Sequence, residues 1–188
     1  MEIDLSFLIF GLLTFLWLAE FIIFPSSKKG NIPGKLSFFL VLAGIIISIS
    51  FSIVMHVNQM ALIEGYPGEV LRIIALITYF IGVFLRYWSS KLLGKNFSRN
   101  IEAQRDQNLV SKGPYRFLRH PLYIALMIMV VSVSLFLQSL PGILFSVIIM
   151  AVVLGVRIKE EEKIMEDNIG KRYINWKKQR YIVIPFVF

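Results

Sequence analysis

Residues 122–156, LYIALMIMVVSVSLFLQSLPGILFSVIIMAVVLGV, form a run of 35 residues without one charged side chain. A single helix of that length would measure about 52 Å, whereas the hydrocarbon core of a bilayer is about 30 Å thick. Pro141-Gly142 interrupts the run, with 19 residues before the proline and 15 after it. We therefore predict a tight helical hairpin that crosses the membrane twice. Its second helix is short unless it continues past Arg157.

Three more apolar segments precede the hairpin. Residues 5–24 contain one charge, Glu20, residues 36–57 contain no Lys, Arg, Asp or Glu, and residues 70–90 contain two arginines near their ends. The sequence thus predicts an all-α, polytopic membrane protein with five transmembrane helices. We expect one domain, residues 1–188, in which residues 1–90 supply three scaffold spans and residues 91–188 supply the hairpin with its polar flanks.

The composition excludes several other classes of protein. Hydrophobic residues make up 56% of the chain and charged residues 17%, whereas soluble domains carry about 25% charged residues. We therefore expect neither a soluble cytosolic domain, nor a disordered chain, nor a nucleic-acid-binding protein. The chain has no cysteine and only two histidines, His56 and His120. Disulfides, thiolate sites and histidine-rich metal centres are excluded on that ground, and no metal is expected.

The basic residues predict the orientation in the membrane. Three lysines follow the first span, the next connection has two glutamates and no basic residue, and most others lie in the link, 91–121, and the tail, 157–188. With the N-terminus outside and the C-terminus in the cytosol, 19 of the 20 basic residues are cytosolic, counting Arg86; only Arg72 is outside. This pattern satisfies the positive-inside rule. Any chemistry is therefore expected on the cytosolic face, where link and tail meet.

His120-Pro121 stands where the fourth span begins. Proline is favoured at the first position of a helix, because its missing N–H would have no partner there. The free N–H groups and partial positive charge of a helix start suit a carboxylate or a phosphate, and Arg119 and His120 add donors. Gly113-Pro114-Tyr115 is a turn signal that would fold the link back over this site. The alternative is a basic juxtamembrane anchor with an interfacial tyrosine.

The tail begins with RIKEEEKIM, residues 157–165. Arg157 and Glu161 are four residues apart and therefore share one helix face. One interpretation is that the carboxylates bind a cation at the membrane boundary while Arg157 holds an anion, since a guanidinium there is costly unless it is paired or used. The other interpretation is an ordinary surface ion pair.

Two further features inside the spans are predicted to be structural. Glu20 and Arg86 stand near the same end of their spans, so we expect them to form a salt bridge. His56, near the other end of the second span, is expected to be a hydrogen-bonded or interfacial histidine.

The chain combines "LGKNFS" at 93–98, "NLVSKGPYRFLRHPLY" at 108–123, a helical hairpin, and then Arg157, Glu161-Glu162, Ile169-Gly170, Tyr173 and Trp176. This combination resembles the isoprenylcysteine carboxyl methyltransferase family. The resemblance covers about residues 93–185. It is closest to the short, five-span prokaryotic type of that family.

The resemblance implies that S-adenosylmethionine lies in a cytosolic pocket formed by the link and the tail. Arg157 resembles the residue that holds the acceptor's carboxylate, and it is assigned a catalytic role together with Glu161 and Glu162. The residues that resemble the cofactor-binding positions are Asn100, Gln107, Asn108, Leu109, Val110, Tyr115, His120, Pro121, Leu122, Tyr123 and Glu161.

The implied reaction is carboxyl O-methylation of an isoprenylcysteine-type acid by an integral, multi-pass membrane enzyme. A lipophilic acceptor would enter from the bilayer and the cofactor from the cytosol. The membrane is the cell membrane if the source is prokaryotic. Relatives methylate other apolar acceptors, such as phenolic lipids, small thiols or amino-phospholipids, and these stay open as alternatives.

Two other classes of function compete with methyl transfer. NADPH-dependent membrane reductases related to sterol reductases are similar around Arg119-His120-Pro121 and Tyr123. Those proteins have Asn within the motif and Gly-Glu just after it, whereas this chain has Leu122 and Ala125-Leu126 there. A non-catalytic membrane subunit is the second alternative.

Overall fold

The computed structural model describes residues 4–24, 35–94, 97–98 and 108–182. Within these residues the regular structure is helical, as predicted. The helices are α1 (Leu5–Ile23), α2 (Lys35–Val57), α3 (Gly65–Leu93), α4 (Pro121–Phe136), α5 (Leu140–Ile169) and α6 (Lys171–Lys177), and a 3₁₀ turn, Gly113–Arg116, precedes α4.

Four of these helices, α1, α2, α3 and α5, are long and apolar enough to cross a membrane. They identify an integral, multi-pass membrane protein. The predicted fourth span is α4, which has 16 residues and measures about 24 Å at 1.5 Å per residue. It is therefore shorter than the hydrocarbon core of a bilayer.

The predicted division of the apolar run was wrong in position. The chain reverses at residues 137–139, and Pro141 and Gly142 lie in the first turn of α5 rather than between two helices. Ser139 caps this turn, because its Oγ accepts the N–H of Gly142 at 3.1 Å. A proline in the first helical turn costs no hydrogen bond, so it begins the helix instead of breaking it. The helix then continues past Arg157 to Ile169, which is the longer of the two possibilities that the sequence left open.

Helix α4 lies at the centre of the bundle, with α3, α5 and α2 packed around it. None of its 16 residues is exposed. The buried core draws on α4 itself and on α1, α3 and α5. It consists of Leu13, Tyr79, Val83, Leu126, Met129, Val130, Met150 and Leu154.

Two glycines allow the helices to approach closely. A Cβ atom on Gly82 of α3 would lie 2.6 Å from Cγ of Met129 and 3.2 Å from the carbonyl oxygen of Ala125 on α4. A Cβ atom on Gly44 of α2 would lie 2.9 Å from Cγ2 of Val153 on α5. Small residues at such crossings are a general means of packing helices in a membrane, where lipid gives no hydrophobic drive for association.

Buried hydroxyl groups also join the helices. Ser134 of α4 bonds Ser52 of α2 at 2.8 Å and Ser146 of α5 at 2.7 Å. Hydrogen bonds of this kind satisfy polar groups that lipid cannot.

We predict that Gly82→Ala lowers the free energy of unfolding by about 1–3 kcal/mol, because the added methyl group overpacks the contact between α3 and α4. Gly11→Ala is the matched control, because no atom lies within 4 Å of its Cβ position. Thermal unfolding in detergent micelles, followed by circular dichroism, checks the difference. Equal melting temperatures for the two variants would contradict the packing argument.

Candidate active site

The first turn of α4 is built as the sequence predicts. Pro121 occupies the start of the helix and His120 is the N-cap residue. The predicted turn at Gly113-Pro114-Tyr115 is the 3₁₀ turn, and Gly113 adopts a φ of 56°. This turn packs against α3 and so brings the link over the start of α4.

The two predicted acids on α5 have different surroundings. Glu161 accepts a hydrogen bond from the Tyr123 hydroxyl at 2.6 Å. Glu162 accepts hydrogen bonds from Arg119 at 3.2 Å and Lys177 at 3.0 Å, and His120 Nε2 lies 3.3 Å from it. Because consecutive residues on a helix point about 100° apart, one acid joins the tyrosine and the other ties the link to the tail.

Lys177 links Glu162 to the end of α5. Its ammonium group pairs with Glu166 as well as Glu162. The bond to Glu166 is the main cause of a pKa for Lys177 above its usual value, and the bond to Glu162 raises that pKa further. The lysine is therefore charged throughout the physiological pH range, and it holds α6 against α5.

Arg157 is buried, with 3% of its surface exposed. Its Nε donates to the Tyr123 hydroxyl at 3.2 Å, and one of its terminal nitrogens donates to Ser37 Oγ of α2 at 2.7 Å. Tyr123 thus stands between Arg157 and Glu161, receiving a hydrogen bond from the first and giving one to the second. Arg157 and Glu161 share a helix face, as predicted, and the tyrosine of α4 joins them.

The tail is fastened to the link mainly through backbone carbonyl groups. Arg119 Nε donates to the carbonyls of Lys177 at 3.0 Å and Arg180 at 2.8 Å. Trp176 Nε1 donates to the carbonyl of Val110 at 3.2 Å. Arg180 Nε donates to the carbonyl of Tyr115 at 2.8 Å. Link and tail therefore form one cover over the start of α4.

A cavity of about 210 Å³ lies beneath this cover. The link and tail provide its polar side, and α1 and α2 provide an apolar side. Of the predicted site residues, the following line it: Asn108, Leu109, Val110, Tyr115, His120, Leu122, Tyr123, Arg157 and Glu161.

The other predicted residues do not line the cavity or are not described. Pro121 is fully buried in the first turn of α4. Glu162 does not line the cavity and belongs to the hydrogen-bond network with Arg119. Asn100 and Gln107 lie outside the described residues. The described residues contain no group of three His, Cys, Asp or Glu side chains that could hold a metal ion.

Sequence reasoning missed the apolar wall of the cavity. α1 contributes Trp17 and Phe21, and α2 contributes Phe38, Val41, Leu42 and Ile45. Apart from Glu20, a few hydroxyl groups and the ends of α2, both helices are apolar, so their sequences do not mark the side that lines a cavity.

Arg86 also lines the cavity. Its predicted pairing with Glu20 is confirmed, with Nε 2.7 Å from the carboxylate. At the opposite end of α2, His56 Nδ1 lies 2.7 Å from the carbonyl oxygen of Leu137, so the prediction of a hydrogen-bonded histidine is confirmed as well.

Tyr115 points to a missing partner in the cavity. Its ring is 5% exposed, and its buried hydroxyl has no hydrogen-bond partner among the described residues. Burial, followed by the negative charge of Glu161, raises the pKa of Tyr115. The hydroxyl is therefore protonated and available to a ligand.

The model of the isoprenylcysteine carboxyl methyltransferase (ICMT) family matches residues 73–167, just over half of the chain. The chain belongs to this family. The match includes α4 and its hairpin with α5 as far as the paired acids, whereas α1 and α2 lie outside it.

Individual proteins are similar to this chain over part of their length. An uncharacterized protein of Bacillus subtilis, YpbQ, is 31% identical over 83 residues, 44% of this chain and 49% of that protein. Protein-S-isoprenylcysteine O-methyltransferase B of Arabidopsis thaliana is 28% identical over 123 residues, 64% of this chain and 55% of that protein. The chain spans about half the length of the curated relatives it matches.

A solved ICMT structure has the same fold. It is that of a eukaryotic intramembrane Ras methyltransferase, determined without a monobody. The TM-score is 0.64 at 19% identity, and the alignment covers 97% of this chain and 68% of that one. Since the alignment extends over nearly the whole chain, the ICMT-like architecture includes α1 and α2.

We predict that Glu162→Gln lowers the free energy of unfolding by about 1–3 kcal/mol, because a neutral amide replaces the charged acceptor of Arg119 and Lys177. Glu160→Gln is the control, since Glu160 is close by on α5 but lies outside this network. The measurement is thermal unfolding in detergent, with limited proteolysis of the tail in parallel. If both variants melt together with the unmodified chain, Glu162 does not hold link and tail together.

Proposed function

We propose that the chain is an S-adenosylmethionine-dependent methyltransferase that acts within the membrane on the carboxylate of an isoprenylcysteine-type acid. The observation that carries this proposal is the two-sided cavity, in which the orphaned Tyr115 hydroxyl, Arg157 and Glu161 meet an apolar wall. Family membership, and similarity to proteins named protein-S-isoprenylcysteine O-methyltransferase, support it.

The polar side of the cavity fits S-adenosylmethionine, which carries a carboxylate, an ammonium and a sulfonium. The helix start at His120 suits the carboxylate, and Glu161 suits a positive group. Tyr173 and Trp176 also line the cavity, and their aromatic rings suit contact with the adenine ring. Bound there, the cofactor supplies an electrophilic methyl group. The predicted cofactor residues Asn108, Leu109, Val110, Tyr115, Leu122 and Tyr123 complete this side, and Pro121 sets the helix start.

The apolar side suits a lipid-borne acceptor. Trp17 and Phe21 of α1 and Phe38 of α2 line the cavity, and Phe21 is also 49% exposed. An apolar tail in contact with these rings can remain in the bilayer while its head group enters the cavity. Arg157 stands where an anionic head group would meet the polar side, which favours a carboxylate over an amine as the acceptor.

The residues of the chain act by binding and positioning. A carboxylate acceptor is already ionised at neutral pH, so it needs no general base. Arg157 would hold one carboxylate oxygen, and its hydrogen bond with Tyr123 fixes the direction of its guanidinium. Alignment of the acceptor with the methyl group supplies most of the rate enhancement. The cover of link and tail excludes water, which strengthens these polar contacts.

We also propose the orientation that the basic residues predict. α4, together with the residues that cap its two ends, would serve as the fourth of five spans. The N-terminus would lie outside and the candidate site would face the cytosol. The distribution of 19 of 20 basic residues on that side supports this topology.

The direct test is to incubate membranes that contain the chain with S-adenosylmethionine labelled in its methyl group, and to extract the lipid-soluble product. We expect label in that fraction, and we expect mild base to release it as methanol, because the product is a methyl ester. Membranes without the chain are the control. A label that resists base would indicate an ether, thioether or amine and would contradict carboxyl methylation.

We predict that Arg157→Ala lowers kcat/KM for the acceptor about 10- to 100-fold, the loss expected for a charged hydrogen bond to the acceptor. The affinity for S-adenosylhomocysteine, measured by calorimetry, should change much less. Lys159→Ala is the matched control, since this exposed lysine is on the same helix. The opposite pattern, with cofactor affinity lost and acceptor kinetics kept, would overturn the assignment of Arg157.

A further inference from the structure

Two ion pairs join α1 to α3, one at each end of the contact. Asp4 pairs with Arg72 at 3.0 Å, and Glu20 pairs with Arg86 at 2.7 Å. The order of the partners shows that the two helices run in the same direction. Both pairs therefore link α1 to α3.

The two pairs differ in burial and in what they adjoin. Asp4 and Arg72 are partly exposed, with side-chain exposures of 49% and 26%. Glu20 is fully buried, and Arg86 is 11% exposed. Arg86 lines the cavity, whereas Arg72 lies against Phe7 and Phe136 at the opposite end of the bundle. A buried ion pair offsets its desolvation cost only when the remaining donors are also satisfied, and the terminal N–H groups of Arg86 adjoin the cavity.

We propose that Arg86 binds the carboxylate of the amino-acid part of S-adenosylmethionine, and that Glu20 is the positioning residue that aims Arg86. This inference rests on the proposed function, because it assigns a further contact to the same cofactor.

The position of Arg86 at the start of α4 supports this role. One terminal nitrogen of its guanidinium lies 3.5 Å from the carbonyl oxygen of Leu122, in the first turn of that helix. The free N–H groups of the same turn favour an anion. Arg86 adds a full positive charge to that site. Of the five N–H donors of the guanidinium, Nε donates to Glu20 and one terminal N–H to the carbonyl of Leu122, so three remain for a ligand.

The surroundings of Arg86 and Arg157 assign them to different ligands. Arg157 is bonded to Ser37 of α2, beside the apolar residues Phe38 and Val41. Arg86 is on α3, which packs against the 3₁₀ turn that carries Tyr115. The positive charge of Arg86 and the negative charge of Glu161 both act on the Tyr115 hydroxyl. A zwitterionic amino acid needs one group of each sign, and this arrangement supplies both near the orphaned hydroxyl.

Glu20 gives this site a partner from outside the matched part of the family. Residues 73–167 include Arg86 but not Glu20. The carboxylate of Glu20 also lies 3.5 Å from Ser90 Oγ, one helical turn beyond Arg86. It is thus fixed from two positions on α3, and it holds Nε of Arg86 so that the rest of the guanidinium is left for a ligand.

The test compares S-adenosylmethionine with its decarboxylated analogue, which keeps the ammonium and sulfonium and lacks only the carboxylate. Calorimetry on the chain in detergent gives the ratio of the two dissociation constants. We expect the unmodified chain to prefer S-adenosylmethionine about 10- to 100-fold. Arg86→Gln should lower the ratio several-fold by weakening S-adenosylmethionine alone, because only the helix start then remains to hold the carboxylate, and Glu20→Gln should remove part of the preference.

Arg72→Gln is the control, because it breaks the other ion pair between α1 and α3, which lies away from the cavity. It should keep the full preference, and melting temperatures identify any variant that fails to fold.

The inference is overturned if Arg86→Gln keeps the preference for S-adenosylmethionine. It is also overturned if Arg72→Gln reduces that preference equally, since the Glu20–Arg86 pair would then only hold the helices together. A chain that binds neither compound contradicts the proposed function itself, whereas one that binds S-adenosylmethionine without preference contradicts only the role of Arg86.

Discussion

Charged side chains that enter an apolar bundle must find partners there. This requirement organises the end of the bundle that carries the candidate active site. Glu162 satisfies it by drawing together Arg119 of the link and Lys177 of the tail. Arg157 satisfies it through Tyr123 and Ser37, which belong to two other helices. Because each bond joins a different pair of segments, the same contacts that satisfy the charges also close the cavity. Removing one charge therefore loosens both the fold and the site.

The sequence shows which segments are helical more reliably than where they end. The uncharged run of 35 residues correctly predicts a hairpin, because no single helix of that length fits a bilayer. The turn was misplaced because Pro141 was taken as a helix breaker, whereas the Ser139 cap makes it a helix starter. Whether a proline breaks or begins a helix depends on whether the N–H that it lacks would have had a hydrogen-bond partner at that position. That in turn depends on the conformation of residues 137–139.

The candidate site shows a similar boundary between what sequence can and cannot predict. Spacing on one helix placed Arg157 and Glu161 on a common face, and matching charges in two spans predicted the Glu20–Arg86 pair. The role of Ser37 could not be predicted, since it meets Arg157 across 120 positions of sequence. The apolar wall from α1 and α2 was likewise hidden, because a helix that is apolar all round does not reveal which side faces protein and which faces lipid.

The central position of α4 has a consequence for how the protein fits its membrane. None of its residues is exposed, and its neighbours α3, α5 and α2 surround it. Lipid chains therefore meet mainly the longer helices, which set most of the hydrophobic thickness that the protein demands. The shortness of α4 has correspondingly less effect on the thickness of the surrounding bilayer. A change of one turn in its length would move the candidate site relative to the head groups more than it would change the match between protein and lipid.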